Sequence, residues 1–498
     1  MSTLTLEPTV RITTGLAWRP VAIVAVGAFA VEMAASARYG YVRDELYFLA
    51  AGQHPAFGYV DQPALTPLLA HAWSVITFGS LAGFRVLGAL ALVALVFATA
   101  SMARVMGAGR GGQVLAALSA AVCTEFVAAA HELTTTTPDF VCWALTLLLV
   151  TRLLESRDPR WWMAIGAMAG VGAAAKWNIF FLLAGLALGF CLVPPVRRLA
   201  VSRYLVVGFA LLALGAAPDL VWQGLHGWPN FDVFRALQGQ ARQNRLEYWP
   251  EQILYTGPLL VPVWVAGLRW SWRSASWRPV AIACAFVIVV QFVLGGKSYY
   301  PGGAYSFLLA AGSVAISSRA GSVPRALVRR GAWLLVGGLV ALPVVLPVLP
   351  ARALHYVPVQ KINYDLGEEI AWPREVALVA RIYDGLPAAF RIRTTILTGN
   401  YGEAGALARY GPSVGLPTAY SGANNFWLWG PPPAGDVNAI VVNGSAAFLR
   451  REFRSVRQVA VFTNGLGVSD DEEGVPMYLC TGLRGSWAAV WPAFRNYS

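Results

Sequence analysis

Residues 42–53, VRDELYFLAAGQ, stand directly behind a segment (18–37) apolar enough to cross a bilayer. Arg43, Asp44 and Glu45 therefore lie side by side where a first membrane helix would leave the lipid. Ionisable groups at that depth are costly and usually face a cavity or a partner. A purely structural reading competes on even terms, because Asp is a good helix N-cap and Glu in a first turn complements the helix dipole.

The segment before this triplet is one of a series. Runs of about 17–22 apolar residues are each long enough for about 30 Å of hydrocarbon. They fall near 18–37, 84–103, 113–131, 138–154, 161–176, 178–194, 204–222, 252–268, 279–295, 303–318 and 331–350. The expected fold is thus an α-helical polytopic membrane protein with about eleven transmembrane helices. The 161–194 region also reads as one broken span. A further run at 63–78, PALTPLLAHAWSVITF, is short and interrupted by Pro63 and Pro67. It reads as a helix lying at the interface or dipping into it. Composition agrees: of 498 residues 57% are hydrophobic and only 13% charged, with mean hydropathy +0.54. A soluble chain carries about 25% charged residues, and a membrane barrel would show alternating segments of about ten residues.

Orientation follows from the basic residues. With the N-terminus inside, the inner segments collect Arg11, Arg19, Arg104, Arg110, Arg152, Arg157, Arg160, Arg197, Arg198, Arg203, Arg269, Arg273, Arg278, Arg319, Arg325, Arg329 and Arg330. This pattern predicts a multi-pass protein of the cytoplasmic membrane with a cytoplasmic N-terminus and an extracytoplasmic C-terminal unit. The expected division is a transmembrane domain, 1–350, with a first outer loop at 38–83, followed by an α/β domain at 351–498. In the latter, strands are expected at 394–398, 438–442, 457–461 and 477–480, and a helix at 402–410. Ala-Ser-Ala at 35–37 fits a signal-cleavage pattern, but Glu32 interrupts the apolar segment before it, which favours an uncleaved anchor.

The net charge of +12 lies in loops between spans, and no basic patch interleaved with aromatics stands out. Nucleic acid is therefore not an expected partner. Four of the five cysteines, Cys123, Cys142, Cys191 and Cys284, fall in apolar runs, and Cys480 stands apart. No disulfide framework or metal-binding Cys pair is expected.

Acids distribute unevenly. On this topology Asp44, Glu45, Asp61, Glu132, Asp139, Asp219, Asp232, Glu247 and Glu251 are outer, while the inner segments hold few. The outer cations, Arg38, Arg43, Arg85, Lys176, Arg235, Arg242, Arg245 and Lys297, keep their company. A polar cleft mixing carboxylates and cations suits a phosphate-linked substrate anchored in the outer leaflet. Lys and Arg would meet its phosphate, and a carboxylate would take a proton from an incoming hydroxyl.

The stretch RDELYFLAAGQHPAFGYVDQPALTPLLA (43–70) resembles the first outer loop of bacterial GT-C glycosyltransferases of the family 39-like, dolichyl-phosphate-mannose protein mannosyltransferase type. TTTTPDF (134–140), AAKWN (174–178), WQGLHGWPNF (222–231), GGKSYY (295–300), GNYGEAGALARYG (399–411) and SGANNFWLWGPP (421–432) extend the resemblance in order along nearly the whole chain. It implies helices around an outer cavity, two interfacial helices in the first outer loop, and inverting transfer of a sugar from a polyprenyl-phosphate carrier to an acceptor hydroxyl. On that pattern Asp44 matches the general base, with Glu45 beside it. Asp61 and Asp139 match further acids, and His226, Lys297 and Tyr299 fall in outer-loop motifs facing the donor phosphate. Where the aminoarabinose-transferase-like branch has Lys after the acid at 61, this chain has Gln62. Gln donates a hydrogen bond without charge, so neutralisation would fall to Arg85, Lys297 or Arg242 and Arg245, with Lys176 a further phosphate contact.

A divalent cation held by Asp44, Asp61, Asp139 and His226 is conceivable, although no sequence-level metal motif joins them. Tyr401, Glu403 and the run Asn424-Asn425-Phe426-Trp427 are candidates for acceptor contact, with core or turn roles equally open. Two other classes compete. A secondary transporter would show two similar halves and midplane charges, neither of which is evident. A non-catalytic scaffold binding cell-envelope glycans would not need the Asp44 carboxylate. Sugar and acceptor stay open, with lipid, glycan and protein acceptors all compatible and membrane lipids as surroundings.

Overall fold

A computed structural model describes residues 15–320 and 324–497; Arg11, counted above for orientation, lies outside the described residues. Each expected apolar segment is helical. The chain opens with α1 (Trp18–Ala35), α2 (Arg43–Gly52), α3 (Leu65–Ile76) and α4 (Leu81–Val105). There follow α5 (Arg110–Ala121), α6 (Thr124–His131), α7 (Thr136–Ser156), α8 (Trp161–Ala175), α9 (Ile179–Leu192), α10 (Pro194–Ala200) and α11 (Arg203–Leu225). Then come α12 (Pro229–Gln238), α13 (Ala241–Thr256), α14 (Val261–Arg273), α15 (Arg278–Leu294), α16 (Tyr305–Ala320) and α17 (Pro324–Val345).

Among the described residues, α1, α4, α7, α11 and α17 can each cross a membrane by length and composition, giving 5 spans, or up to 7 when two bent pairs are counted. One pair, α5 and α6, bends by 54° at Val122–Cys123; the other, α13 with the segment Pro258–Arg273, bends by 84°. The expected separate spans at 161–176, 178–194, 279–295 and 303–318 are shorter helices of 15, 14, 17 and 16 residues. At 1.5 Å per residue these fall short of about 30 Å. The chain is a multi-pass membrane protein, and 161–194 is two helices joined at Lys176–Asn178 rather than one.

Small residues let α8 and α11 approach closely. A Cβ on Gly166 would lie 2.0 Å from the Gly208 carbonyl oxygen, and one on Gly215 would lie 2.4 Å from that of Gly170. Bare backbone therefore lets α8 and α11 touch, as small residues do between membrane helices.

Past α17 lie α18 (Asp365–Glu368), α19 (Trp372–Asp384), α20 (Ala388–Arg391), α21 (Tyr401–Tyr410), α22 (Asn424–Leu428), α23 (Ala446–Glu452) and α24 (Trp487–Val490). The strands are β1 (Thr394–Thr398), β2 (Ala419–Ser421), β3 (Asn438–Val442), β4 (Phe453–Val461) and β5 (Pro476–Leu483). They form one sheet of order β2-β1-β3-β5-β4, with β1 parallel to β2 and β3 and the other pairs antiparallel. Alternate residues face opposite sides of a strand. Ile396 and Ile440 pack toward α19, α21 and α2, while Leu397, Ala439 and Val441 pack toward Leu449, Trp487 and Trp491. The small α/β unit expected after 351 is therefore present, with the three-residue β2 as an addition. It does not stand alone, because Leu46, Tyr47 and Phe48 of α2 share a core with Trp372, Val376 and Ala404.

Candidate active site

The loops at one end of the bundle gather under the C-terminal unit. Lys176 reaches Thr136, Asn178 reaches the Tyr300 carbonyl, Tyr39 reaches the Leu349 carbonyl and Gln223 reaches that of Tyr59. The opposite junctions carry Arg104, Arg110, Arg157, Arg160, Arg197, Arg198 and Arg203.

Helical geometry separates the triplet at 43–45 by about 100° per residue, so its members meet three environments. Glu45 turns inward and is buried. Its Oε2 accepts from Val42 N at 2.9 Å and Oε1 from Leu133 N at 3.1 Å, and Arg85 Nη2 lies 3.1 Å from Oε2. Arg43 pairs with Asp471 at 3.0 Å and Glu368 at 3.7 Å. Asp44 is half-buried, and its Oδ1 accepts the Tyr401 hydroxyl at 2.9 Å. The helix-start reading thus describes Glu45, while Asp44 caps nothing among the described hydrogen bonds.

Tyr401 reaches Asp44 because α21 lies against α2 with Gly405 at the contact. A Cβ there would fall 2.8 Å from the Leu46 carbonyl carbon.

Two lysines flank one aromatic ring. Lys176, at the break between α8 and α9, stands 5.1 Å from the Tyr299 ring centre and 5.0 Å from that of Tyr300. Lys297 stands 5.9 Å from the same Tyr299 centre. Neither lysine has a carboxylate within ion-pair distance among the described residues. Burial pulls the Lys176 ammonium down to about 8; the Asp139 charge opposes this and the Lys297 charge adds to it. Burial also pushes the Tyr299 phenol up, with Asp44 and Asp365 adding to the effect. Like charges held together with aromatic support and no acid partner are suited to an anion.

The acids around them are individually held. Asp139, in the first turn of α7, accepts from Asn178 Nδ2 at 3.0 Å. Asn178 in turn accepts from Gln291. Asp61 accepts the Tyr47 hydroxyl at 2.8 Å, and burial pushes its carboxyl up to about 7 against the pull of that bond. Asn425 Oδ1 accepts Val60 N at 2.7 Å, tying the loop that carries Asp61 to the C-terminal unit. Asp365 is likewise raised to about 7, by burial first and the Asp44 charge second.

Several expected contacts lie elsewhere. Arg85 is buried and enclosed by Glu45, Glu369, His131 and the carbonyls of Ser36 and Gly40. Its guanidinium is committed to protein partners, so it is not a phosphate contact in this structure, and Glu45 is committed with it. Burial opposes the charge of Glu369, yet Arg85 and His131 outweigh it and hold that carboxyl below its usual value. His226 is exposed and stacks on Trp222 with centres 3.9 Å apart. Arg242 is exposed, and Arg245 donates to the Val293 carbonyl. Gln62 is buried with both amide atoms lacking a hydrogen-bond partner. Asp44, Asp61, Asp139 and His226 do not gather as a metal-ligand set among the described residues.

Asp365, Asn178, Tyr47 and Tyr300 were not singled out from sequence. Asn178 and Tyr300 lie within motifs already quoted, and Asp365 opens an acidic run, DLGEE, whose position against the first loop is a tertiary matter.

Residues 61–222 match the family model "Dolichyl-phosphate-mannose-protein mannosyltransferase". No curated protein matches the chain. A crystal structure of ArnT from Cupriavidus metallidurans bound to undecaprenyl phosphate superposes with TM-score 0.57 at 13% identity, covering 92% of this chain and 97% of that one. The same protein in the apo state gives TM-score 0.55 with equal identity and coverage. The chain therefore shares the fold of ArnT, and the family-model match over residues 61–222 agrees with the resemblance read along the chain.

Proposed function

We propose that the chain is an integral-membrane glycosyltransferase. It moves a sugar from a polyprenyl-phosphate carrier to an acceptor hydroxyl at the outer face of the cytoplasmic membrane, with inversion at the anomeric carbon. The observation that carries this reading is the pair Lys176 and Lys297 around Tyr299, electrostatically joined to Asp44. The likeness to a structure holding undecaprenyl phosphate supports the donor class.

In the reaction, the acceptor oxygen forms a bond to the anomeric carbon as the bond from that carbon to the carrier phosphate breaks. The acceptor proton passes to Asp44. The departing phosphate gains negative charge and meets the two ammonium groups, which act where charge develops. Tyr401 donates to one Asp44 oxygen, and in this reading the other takes the acceptor proton. In this reading Asp61, which feels the Asp44 charge, and Asp139, which acts on Tyr299, hold sugar hydroxyls.

A cation site made by Asp44, Asp61, Asp139 and His226 has no support in the geometry, and phosphate neutralisation is assigned to the lysines. The arginine-rich junctions at the far end of the bundle support a cytoplasmic placement of that end, which puts the site and residues 351–498 outside. The test is mass analysis of lipids retained by the purified protein. A polyprenyl phosphate or its glycosylated form is expected, lost in Lys176→Gln/Lys297→Gln. Retention by that variant, or failure of added polyprenyl phosphate to bind the wild type, overturns the donor assignment.

A further inference from the structure

We propose that Glu375, Glu403 and Glu472 form a binding site for a hard divalent cation, with Ca2+ the best match to their chemistry. The three carboxylates come from three elements: α19, the first turn of α21, and the loop ahead of β5. One oxygen from each lies within 4.8 Å of the others. The residues are 3%, 1% and 4% exposed.

Hydrogen bonding leaves this cluster incomplete. Glu403 is anchored, its Oε2 accepting from Gly399 N and Asn400 N. Asn400 Nδ2 donates to Oε1 of both Glu403 and Glu472 at 3.1 Å. Glu375 Oε1 and Glu472 Oε2 are buried without any hydrogen-bond partner. An unpaired buried polar atom is costly, and this cluster holds two. None of the three acids forms an ion pair among the described residues; Arg43, which eases the charge on Glu472, pairs instead with Glu368 and Asp471.

Three like charges in one buried site cannot all ionise unaided. Burial pushes all three carboxyls up; the Glu472 charge adds to this at Glu375 and Glu403, whereas at Glu472 hydrogen bonds from Glu403 and Asn400 and the Arg43 charge oppose it. A bound dication removes both the repulsion and the unpaired oxygens. An all-carboxylate donor set suits hard cations rather than zinc or copper, and an irregular cage drawn from two helices and a loop suits Ca2+ better than the strict octahedron of Mg2+. Such an ion would clamp the 470–473 loop to the N-terminal turn of α21, the turn that presents Tyr401 to Asp44. This inference stands on the cluster itself and does not depend on the transfer reaction.

The test uses the full-length protein, purified in detergent and stripped with EDTA. Ca2+ should raise the unfolding temperature by about 5 °C at saturation, as a ligand specific to the native state does, with Mg2+ weaker. Tb3+ should bind with emission sensitised by Trp372, one helical turn from Glu375, and Ca2+ should displace it. Glu375→Gln and Glu472→Gln should remove both responses. If wild type shows neither a Ca2+-dependent shift nor displaceable Tb3+ emission, the three acids share protons instead and the site is rejected. That wild-type readout decides the matter even if the variants fold poorly.

Discussion

Tyr401 donates a hydrogen bond of 2.9 Å to Asp44 across 357 positions of chain, joining the C-terminal unit to the first turn after the first membrane helix. The bond orients a carboxylate that caps nothing and pairs with no cation among the described residues. It brings the C-terminal unit against the candidate site. Tyr401→Phe removes a bond to a charged acceptor, worth about 1.5–3 kcal/mol. The expected loss in transfer rate is roughly ten- to a hundredfold, with the thermal unfolding of the protein little changed.

Arg85 predicts the opposite pattern. It is buried among Glu45, Glu369 and His131, and breaking such a cluster from one side costs about 3–5 kcal/mol. Arg85→Ala should lower the unfolding temperature sharply and reduce the yield of folded protein. Any protein that does fold should bind polyprenyl phosphate with unchanged affinity. Selective loss of lipid binding in a stable variant would return Arg85 to the phosphate.

Binding of a polyprenyl phosphate should depend on pH through Lys176. Its ammonium is pulled down to about 8 by burial, and the anion binds the charged form. Affinity should therefore hold below pH 8 and fall by up to tenfold per unit above it. Lys176→Arg, charged throughout, should move that fall to higher pH. Binding titrations from pH 6.5 to 9.5 separate the two.

Asp61 sets a stability slope of a particular sign. Its folded-state value is about 7 against 3.8 for the free group. The native state thus holds a proton that the unfolded chain has released between about pH 4 and 7. Its contribution favours folding below that window and is lost as pH rises through it. Asp61→Asn should flatten this part of the unfolding-temperature profile.

Much of the architecture is legible in the sequence because burial in lipid demands long apolar runs, and each run became a helix. The short helices α8 and α9 defeat a count by length. Their contacts with α11 and α15 are made through glycines, and a hydropathy window does not register how closely two backbones approach. Strands β1 and β3 were readable because short apolar cores, Ile396-Leu397 and Ala439–Val442, stand among β-branched residues between turn signals. Three-residue β2 offers too little pattern. Within the site, Asp44 and Lys176 stand out as ionisable residues at helix ends, and Lys297 as one in the loop after α15. Arg85 and Glu45 carry the same local signal but were turned inward by Glu369 and Leu133, 284 and 88 positions away. Charge at an interface announces that a partner exists, and only the fold says whether it is protein or substrate.

The most direct measurement is single-turnover transfer from a polyprenyl-phosphate sugar by Asp44→Asn, with lipid binding measured on the same sample. Loss of a general base should reduce transfer by about 10²–10⁴-fold while polyprenyl phosphate still binds. Transfer at wild-type rate by that variant would contradict the role given to Asp44.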